Sequence, residues 1–530
     1  MPMLDLLIQN ALVFDGTGTE PVTTDVGVQD GKIVLVAPDA NVQAAVEVDG
    51  TGLSLAPGFI DVHTHSDTQL YPDPSRWCKL KQGVTTEIGG QCGWSPGPFP
   101  ADSPAGWREY LGNSSNRQPF FNTYGEAMED LDRRKIGAHQ ACFVGHLYLR
   151  GIIAGVENRP LTSKEVERMC AYADEAMQSG AMGFSTGLVY LPGIFSDTEE
   201  LKALARTVGR YGGMYSTHMR DEGDHVVESV QEAIAIAKAG DMPLNISHLK
   251  AMFPQNYEKI DRILEIIDYE NSHGMQITFD VYPYTACSAG IMSTLPPSYV
   301  ANGIDWMVEH LQGKENIEIL RKAIYEPTEK WENPVAKIGL ENHLIVSASV
   351  TTDAIGMTVA EYAEKRGIDG IEAYAELICL NRGRIGDARF AMSEENIEKL
   401  YGHPVCMVGS DGLYRGKGTT AHVRAFATFP RYLGHYIREK KILPFAEGIR
   451  RLTGMPADVY GLTGKGYIRE GYDADLVLFD KDTIIDKATY IDTAIPNEGI
   501  RMVFVNGKAA VVDNQMTGVL EGRRIPRNPG

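Results

Sequence analysis

Residues 58–67 read Gly-Phe-Ile-Asp-Val-His-Thr-His-Ser-Asp. The run begins as an apolar strand and ends in two imidazoles, His63 and His65. Side chains alternate along a strand, so these two share one face while Val62 and Thr64 share the other. Two neutral imidazoles on one face are half a metal site. An isolated His-x-His is more often a pair of satisfied interior or surface histidines, but the buried-type strand in front of this one favours the ligand reading.

Seven more segments of similar texture follow. They include Val84-Thr85-Thr86-Glu87-Ile88-Gly89, Met214-Tyr215-Ser216-Thr217-His218, Leu244-Asn245-Ile246-Ser247-His248 and Val405-Cys406-Met407-Val408-Gly409-Ser410-Asp411. Helical signals lie between them: a capping box at Ser196-x-x-Glu199 and amphipathic runs at 224–239 and 256–272. Strand and helix alternating through eight strands predict an α/β fold, a (β/α)8 TIM-type barrel over 58–470, with its active site at the C-terminal ends of the strands. The spacing breaks once. About 120 residues separate the seventh and eighth strands, beyond an ordinary connection. The stretch at about 288–345, rich in Pro, Trp and charge, is expected to be an inserted subdomain over the barrel mouth.

Both chain ends read as β-structure. In 1–57, Asp30-Gly31 lies between two apolar runs as a hairpin turn; in 471–530, Asp475–Phe479 and Met502–Val505 are strands, the second followed by the turn Asn506-Gly507. The two ends are expected to build one small β-sandwich domain beside the barrel.

The composition is that of a globular enzyme. Of 530 residues, 50 are Lys or Arg and 70 are Asp or Glu, a net charge of −20 that opposes binding to nucleic acid or anionic lipid. There is no basic leader at the N-terminus and no apolar run of about 18 residues, so a cytoplasmic protein without a membrane partner is expected. The seven cysteines are scattered without C-x-x-C spacing, which argues against disulfides; a special cysteine would act as a thiolate.

On the barrel frame, His63 and His65 close the first strand and Cys92 follows the second. His218, His248 and Asp411 close the fifth, sixth and eighth. Each alone is more often structural. Six such groups on one rim are hard to explain by packing.

These residues resemble the amidohydrolase superfamily, and within it the N-acyl-D-amino-acid deacylases (D-aminoacylases). The likeness runs from the G-F-I-D-x-H-T-H strand through Gln91-Cys92-Gly93, Ser216-Thr217-His218-Met219-Arg220, Ile246-Ser247-His248 and Gly409-Ser410-Asp411-Gly412 to Gly471-Tyr472-Asp473-Ala474-Asp475. Many amidohydrolases carry a metal-bridging lysine on the fourth strand. Here that strand offers only Met182-Gly183-Phe184-Ser185-Thr186-Gly187, and Cys92 matches the cysteine that takes the ligand position in the D-aminoacylase branch.

The resemblance implies a zinc hydrolase. Cys92, His218 and His248 would hold one tight Zn2+, while His63, His65 and Asp411, sharing Cys92, leave room for a second, weaker ion. Asp411 would be the general base and acid. Lys250, Tyr282 and Arg424 would grip the carboxylate of an N-acyl-D-amino acid, with Tyr190 and Ser288 nearby; in His422-Val423-Arg424 a valine replaces the proline of the family's His-Pro-Arg clamp. The segment 284–292 holds no Lys, Arg or His, which favours uncharged, hydrophobic substrate side chains. Deacylation of N-acyl-D-glutamate or aspartate, of a cyclic amide or of a dipeptide is the alternative. A non-catalytic metal-binding scaffold would not need Asp411 and the clamp together.

Overall fold

The computed structural model describes residues 3–69, 73–113, 120–329, 331–414, 421–493 and 495–527. Eight strands run in chain order: β1 Phe59–Asp61, β2 Val84–Gly89, β3 His139–Cys142 continued at Val144–Gly145, β4 Gly183–Gly187, β5 Met214–His218, β6 Leu244–Ile246, β7 Ile277–Val281 and β8 Cys406–Val408. β1, β2 and the first part of β3 form one parallel sheet; the second part of β3 pairs with β4, and the parallel order continues through β5, β6 and β7 to β8. A parallel bridge between Thr64 and Gly412 links the chain just past β1 to the chain just past β8. The strands are buried along their length, as expected where helices cover a parallel sheet.

The helices between strands follow the sequence signals, with one shift. The helix Thr198–Gly209 is capped by Asp197, whose side chain accepts from Glu200 N, not by Ser196. Ser196 instead donates its hydroxyl to the Gly193 carbonyl, which leaves Asp197 as the cap. The runs at 224–239 and 256–272 become the helices Val226–Gly240 and Lys259–Ser272.

The chain ends share one continuous nine-stranded sheet. Its N-terminal strand, Leu4–Val13, is unbroken except for a bulge at Asn10, and Ser54–Pro57 pairs with Leu476–Phe479 across the two ends. Asp30-Gly31 and Asn506-Gly507 all have positive φ, the geometry that a tight two-residue hairpin turn requires. The sheet curls so that Lys32 bridges Asp473, enclosing Leu6, Ile8, Val26, Leu55 and Leu476.

The insertion runs past residue 345. Strand His343–Ala348 is followed by two helices and pairs with Ile385–Phe390, which also pairs with Ala286–Cys287. A separate apolar core spans Ile291 to Ile385. The sequence boundary fell short because the helices Val359–Arg366 and Gly370–Asn381 look locally like barrel crossovers.

A candidate metal centre

The site is built on turns that leave the strands. His218 ends β5, His248 lies two residues past β6, and Cys92 and Asp411 lie three residues past β2 and β8. Cys92, His248 and Asp411 have φ of 53°, 36° and 47°, in the left-handed region that non-glycine residues rarely occupy. Such strain costs on the order of 1–3 kcal/mol per residue and persists only where neighbours enforce it. Here they do. Asp411 N donates to the His63 carbonyl at 2.8 Å, and His248 N to Asp280 Oδ1 at 2.9 Å. Next to Cys92, Gln91 donates to the Val62 carbonyl and accepts from Ser216, while Gly93 N donates to Ser185 Oγ.

Cys92 Sγ lies 3.4 Å from His248 Nε2 and 3.9 Å from His218 Nδ1, and those two nitrogens are 3.0 Å apart. Tetrahedral zinc with bonds of about 2.0–2.3 Å needs ligand atoms about 3.3–3.6 Å apart. One of the three separations lies in that range and the other two lie within about 0.3 Å of it, so small side-chain shifts bring this donor set onto one zinc ion. His63 Nε2 is 3.3 Å from the same sulfur and 3.6 Å from Asp411 Oδ1, so a second ligand-spaced group, His63, Cys92, His248 and Asp411, shares the thiolate. His65 Nε2 reaches Asp411 Oδ1 at 3.1 Å.

The loop that carries Cys92 also crowds the end of β4. A Cβ on Gly187, at the end of β4, would lie 2.3 Å from the Cys92 carbonyl oxygen. The loop carrying Cys92 fills the space that a side chain at the end of the fourth strand would occupy.

Burial alone would raise the Cys92 thiol, but the charges of His63 and His248 draw it well below the usual thiol range. For Asp411, burial likewise opposes ionisation; the Arg424 guanidinium, His248 and the His65 hydrogen bond hold the carboxyl well below the ordinary carboxylate value. Asp411 is therefore an anion at neutral pH, and Cys92 is shifted toward its thiolate. Burial would lower His65, yet its bond to Asp411 and the neighbouring thiolate raise it to about 9.

A cavity of about 720 Å3 reaches the site, with His65, Asp411, Arg424 and Tyr190 at its inner end. The insertion supplies Ser288, Met292 and Trp331. Arg424 is buried, donates from Nη2 to Asp411 Oδ2 at 2.9 Å and to the Ser288 carbonyl at 3.0 Å, and lies 4.7 Å above the Tyr282 ring. Its Nε and Nη1 are buried with no hydrogen-bond partner among the described residues. Tyr190 packs 4.9 Å from the His218 ring.

Two residues expected to face substrate do not line this cavity. Tyr282 lies beneath Arg424, and Lys250 is turned behind His248, where its ammonium contacts both oxygens of Glu222 at 2.7 and 2.8 Å. Sequence reasoning missed Glu222 because Met219-Arg220-Asp221-Glu222 reads as a charged loop; its spacing of four residues from His218 was the available signal. Asp280, whose Oδ1 lies 3.3 Å from His63 Nδ1, was hidden inside an apolar strand. Arg384, on the cavity wall, belongs to the part of the insertion that was assigned to the barrel.

Residues 46–511 match the amidohydrolase family, and the chain belongs to it. A D-aminoacylase of Alcaligenes xylosoxydans xylosoxydans is 31% identical over 523 residues, covering 99% of this chain and 98% of that one. The crystal structure of an N-acyl-D-glutamate deacylase from Bordetella bronchiseptica, complexed with zinc and a phosphonate mimic of the tetrahedral intermediate, superposes with a TM-score of 0.84 at 30% identity, covering 99% and 100% of the two chains. A D-aminoacylase structure described by its binuclear metal centre, with one-metal activation and second-metal attenuation, gives 0.83 at 31% identity and the same coverage. Among the described residues no helix is long and apolar enough to cross a membrane.

Proposed function

We propose that the protein is a zinc-dependent N-acyl-D-amino-acid deacylase, hydrolysing the amide of a linear N-acyl-D-amino acid to a carboxylate and a free D-amino acid. One observation carries the reading: a thiolate and two imidazoles gathered at close to zinc-ligand separations, next to an Asp411–Arg424 ion pair that lines a substrate-sized cavity. The (β/α)8 barrel presents this centre, and the insertion supplies the outer wall. Cys92, His218 and His248 hold the tight ion; His63, His65 and Asp411 flank a weaker position. Bound there, zinc supplies the Lewis acidity that polarises an amide carbonyl and makes water more acidic.

The remaining steps belong to side chains. Asp411, ionised and held at both oxygens, takes the proton of the attacking water and hands it to the departing amine. Arg424 presents two unpartnered nitrogens, Nε and Nη1, for the substrate carboxylate while Tyr282 supports its planar face. Lys250 is turned behind His248 and held by both oxygens of Glu222, away from that carboxylate.

For the substrate side chain, Leu191, Ile194, Met292, Val346 and Ile385 on the cavity wall favour apolar groups. A second reading rests on Arg384: this exposed cation lines the same wall without a side-chain ion pair among the described residues and would suit an acidic side chain. Zinc analysis coupled to hydrolysis of N-acetyl-D- and L-methionine, leucine, glutamate and aspartate tests the proposal. Turnover of D-methionine and D-leucine derivatives with about one zinc per chain is expected. Turnover confined to the glutamate and aspartate derivatives selects the second reading, and none on any D-substrate rejects the activity.

A further inference from the structure

Behind the proposed zinc ligands lies a buried carboxylate that nothing above employs. Glu222 Oε1 is 3.0 Å from His248 Nδ1, and Oε2 is 3.7 Å from His218 Nε2. These are the ring nitrogens turned away from Cys92; the other two, His248 Nε2 and His218 Nδ1, face the sulfur. A neutral imidazole carries one proton, so whichever group fixes it on the outer nitrogen leaves the inner lone pair free for a metal.

Lys250 competes for the same atom. Its ammonium is 2.8 Å from His248 Nδ1 and, as it has only protons to give, it would drive the ring proton to Nε2, the wrong side for zinc. Glu222 counters this twice, by accepting from Nδ1 and by engaging Lys250 with both oxygens. The ammonium also sits against Glu222 and His248, two of the three members of the His218, Glu222 and His248 group, so their polar atoms there are engaged in an ion-pair cluster. Glu222 itself is pinned at its backbone: its N–H donates to Glu332 Oε1 of the insertion at 2.9 Å, and its carbonyl accepts from Met252 N at 2.6 Å.

We infer that Glu222 is a positioning residue: its carboxylate beside Nδ1 sets the tautomer of His248 against the opposing pull of Lys250, so that the ring offers its inner nitrogen to the zinc ion. The inference rests on the zinc reading above and adds a residue that the chemistry does not touch.

The test is zinc affinity, measured by chelator competition on metal-depleted full-length protein and re-addition of zinc alone. Glu222→Gln cannot neutralise Lys250, so affinity should fall about 10–100-fold, the usual cost of losing a carboxylate behind a ligand histidine. Glu222→Gln combined with Lys250→Met should recover part of that loss, because the competing donor is gone; a purely structural role predicts no recovery. Lys250→Met alone, which keeps Glu222, should bind zinc at least as tightly as wild type. Cobalt in place of zinc gives a spectroscopic check: the thiolate-to-cobalt band should weaken in Glu222→Gln and return in the double variant. Affinity within twofold of wild type in Glu222→Gln, or a tenfold loss in Lys250→Met, overturns the inference. Wild-type protein that takes up no zinc would instead overturn the zinc reading.

Discussion

Asp411 and Cys92 stand on the same rim, yet their substitutions should fail differently. Cys92→Ala or His248→Ala removes one of the three proposed ligands, so zinc content and turnover should fall together; full zinc in both variants would place the tight ion elsewhere. Asp411→Asn keeps those ligands but cannot accept a proton, and should retain zinc while losing about 10²–10⁴ in kcat. Near-wild-type turnover would take Asp411 out of the reaction. Arg424 needs a subtler measurement, because it touches Asp411 as well as facing the cavity. Arg424→Ala should therefore slow both an N-acyl-D-amino acid and its amide, but the acid should lose about 2 kcal/mol more in kcat/KM, the excess belonging to the carboxylate contact. Equal losses on the two substrates would make Arg424 a partner of Asp411 alone. At this scale the sequence was most readable where a residue type is unusual for its place, such as two histidines or an aspartate closing an apolar strand. It was least readable for Glu222, Asp280 and Lys250, whose roles depend on which neighbour the fold turns them toward.

The strands were legible because each is a short run of apolar and small buried residues between helical signals, and their ends carried the polar residues of the site. The insertion was legible only in part. Its later helices, Val359–Arg366 and Gly370–Asn381, have their own caps and apolar faces, and nothing local distinguishes them from barrel crossovers; pairing of His343–Ala348 with Ile385–Phe390 settles the matter. This element meets the barrel through Glu332, whose carboxyl accepts from Glu222 N. Burial, then the nearby charges of Glu222 and Asp221, push Glu332 up to about 8 from 4.5. A raised carboxyl binds more protons folded than unfolded, so its contribution is fully favourable below about pH 4.5 and is lost as pH rises toward 8. Glu332→Gln keeps the carbonyl acceptor and removes the titration. Its apparent unfolding temperature should match wild type near pH 5 and exceed it at pH 8, by an amount corresponding to about 1–3 kcal/mol. A variant that is less stable than wild type at pH 8 would mean that Glu332 is ionised and paired in the folded protein.

Across the whole molecule, the two chain ends close on each other, which the shared β-texture of both ends anticipated, but the path of the last residues was not visible because they form no apolar run. Beyond Leu520 the chain lies along the start of β3, at the end of the sheet opposite the metal centre. Gly522 N donates to the Ile136 carbonyl at 2.8 Å, Gln140 N to the Arg523 carbonyl at 3.0 Å, Ile525 N to the Gln140 carbonyl at 2.8 Å and Arg527 N to the Gly180 carbonyl at 3.0 Å. Arg524 adds a two-pronged contact to Asp132 at 2.9 and 2.8 Å. Each backbone bond contributes about 1 kcal/mol net, and removing its partner leaves strand groups without one, so the tail is expected to stabilise the fold by about 4 kcal/mol. In a protein of this size that corresponds to a fall on the order of 5 °C in unfolding temperature when the chain is ended at Leu520. Zinc affinity and kcat/KM, measured below the transition, should stay at the wild-type level, because every ligand is held by the opposite ends of the strands. An unchanged unfolding temperature would show that the tail lies on the sheet without holding it. A loss of zinc affinity in the folded truncated protein would mean that strain at the base of β3 reaches the turns carrying Cys92 and His218, and that the two ends of the barrel are mechanically coupled.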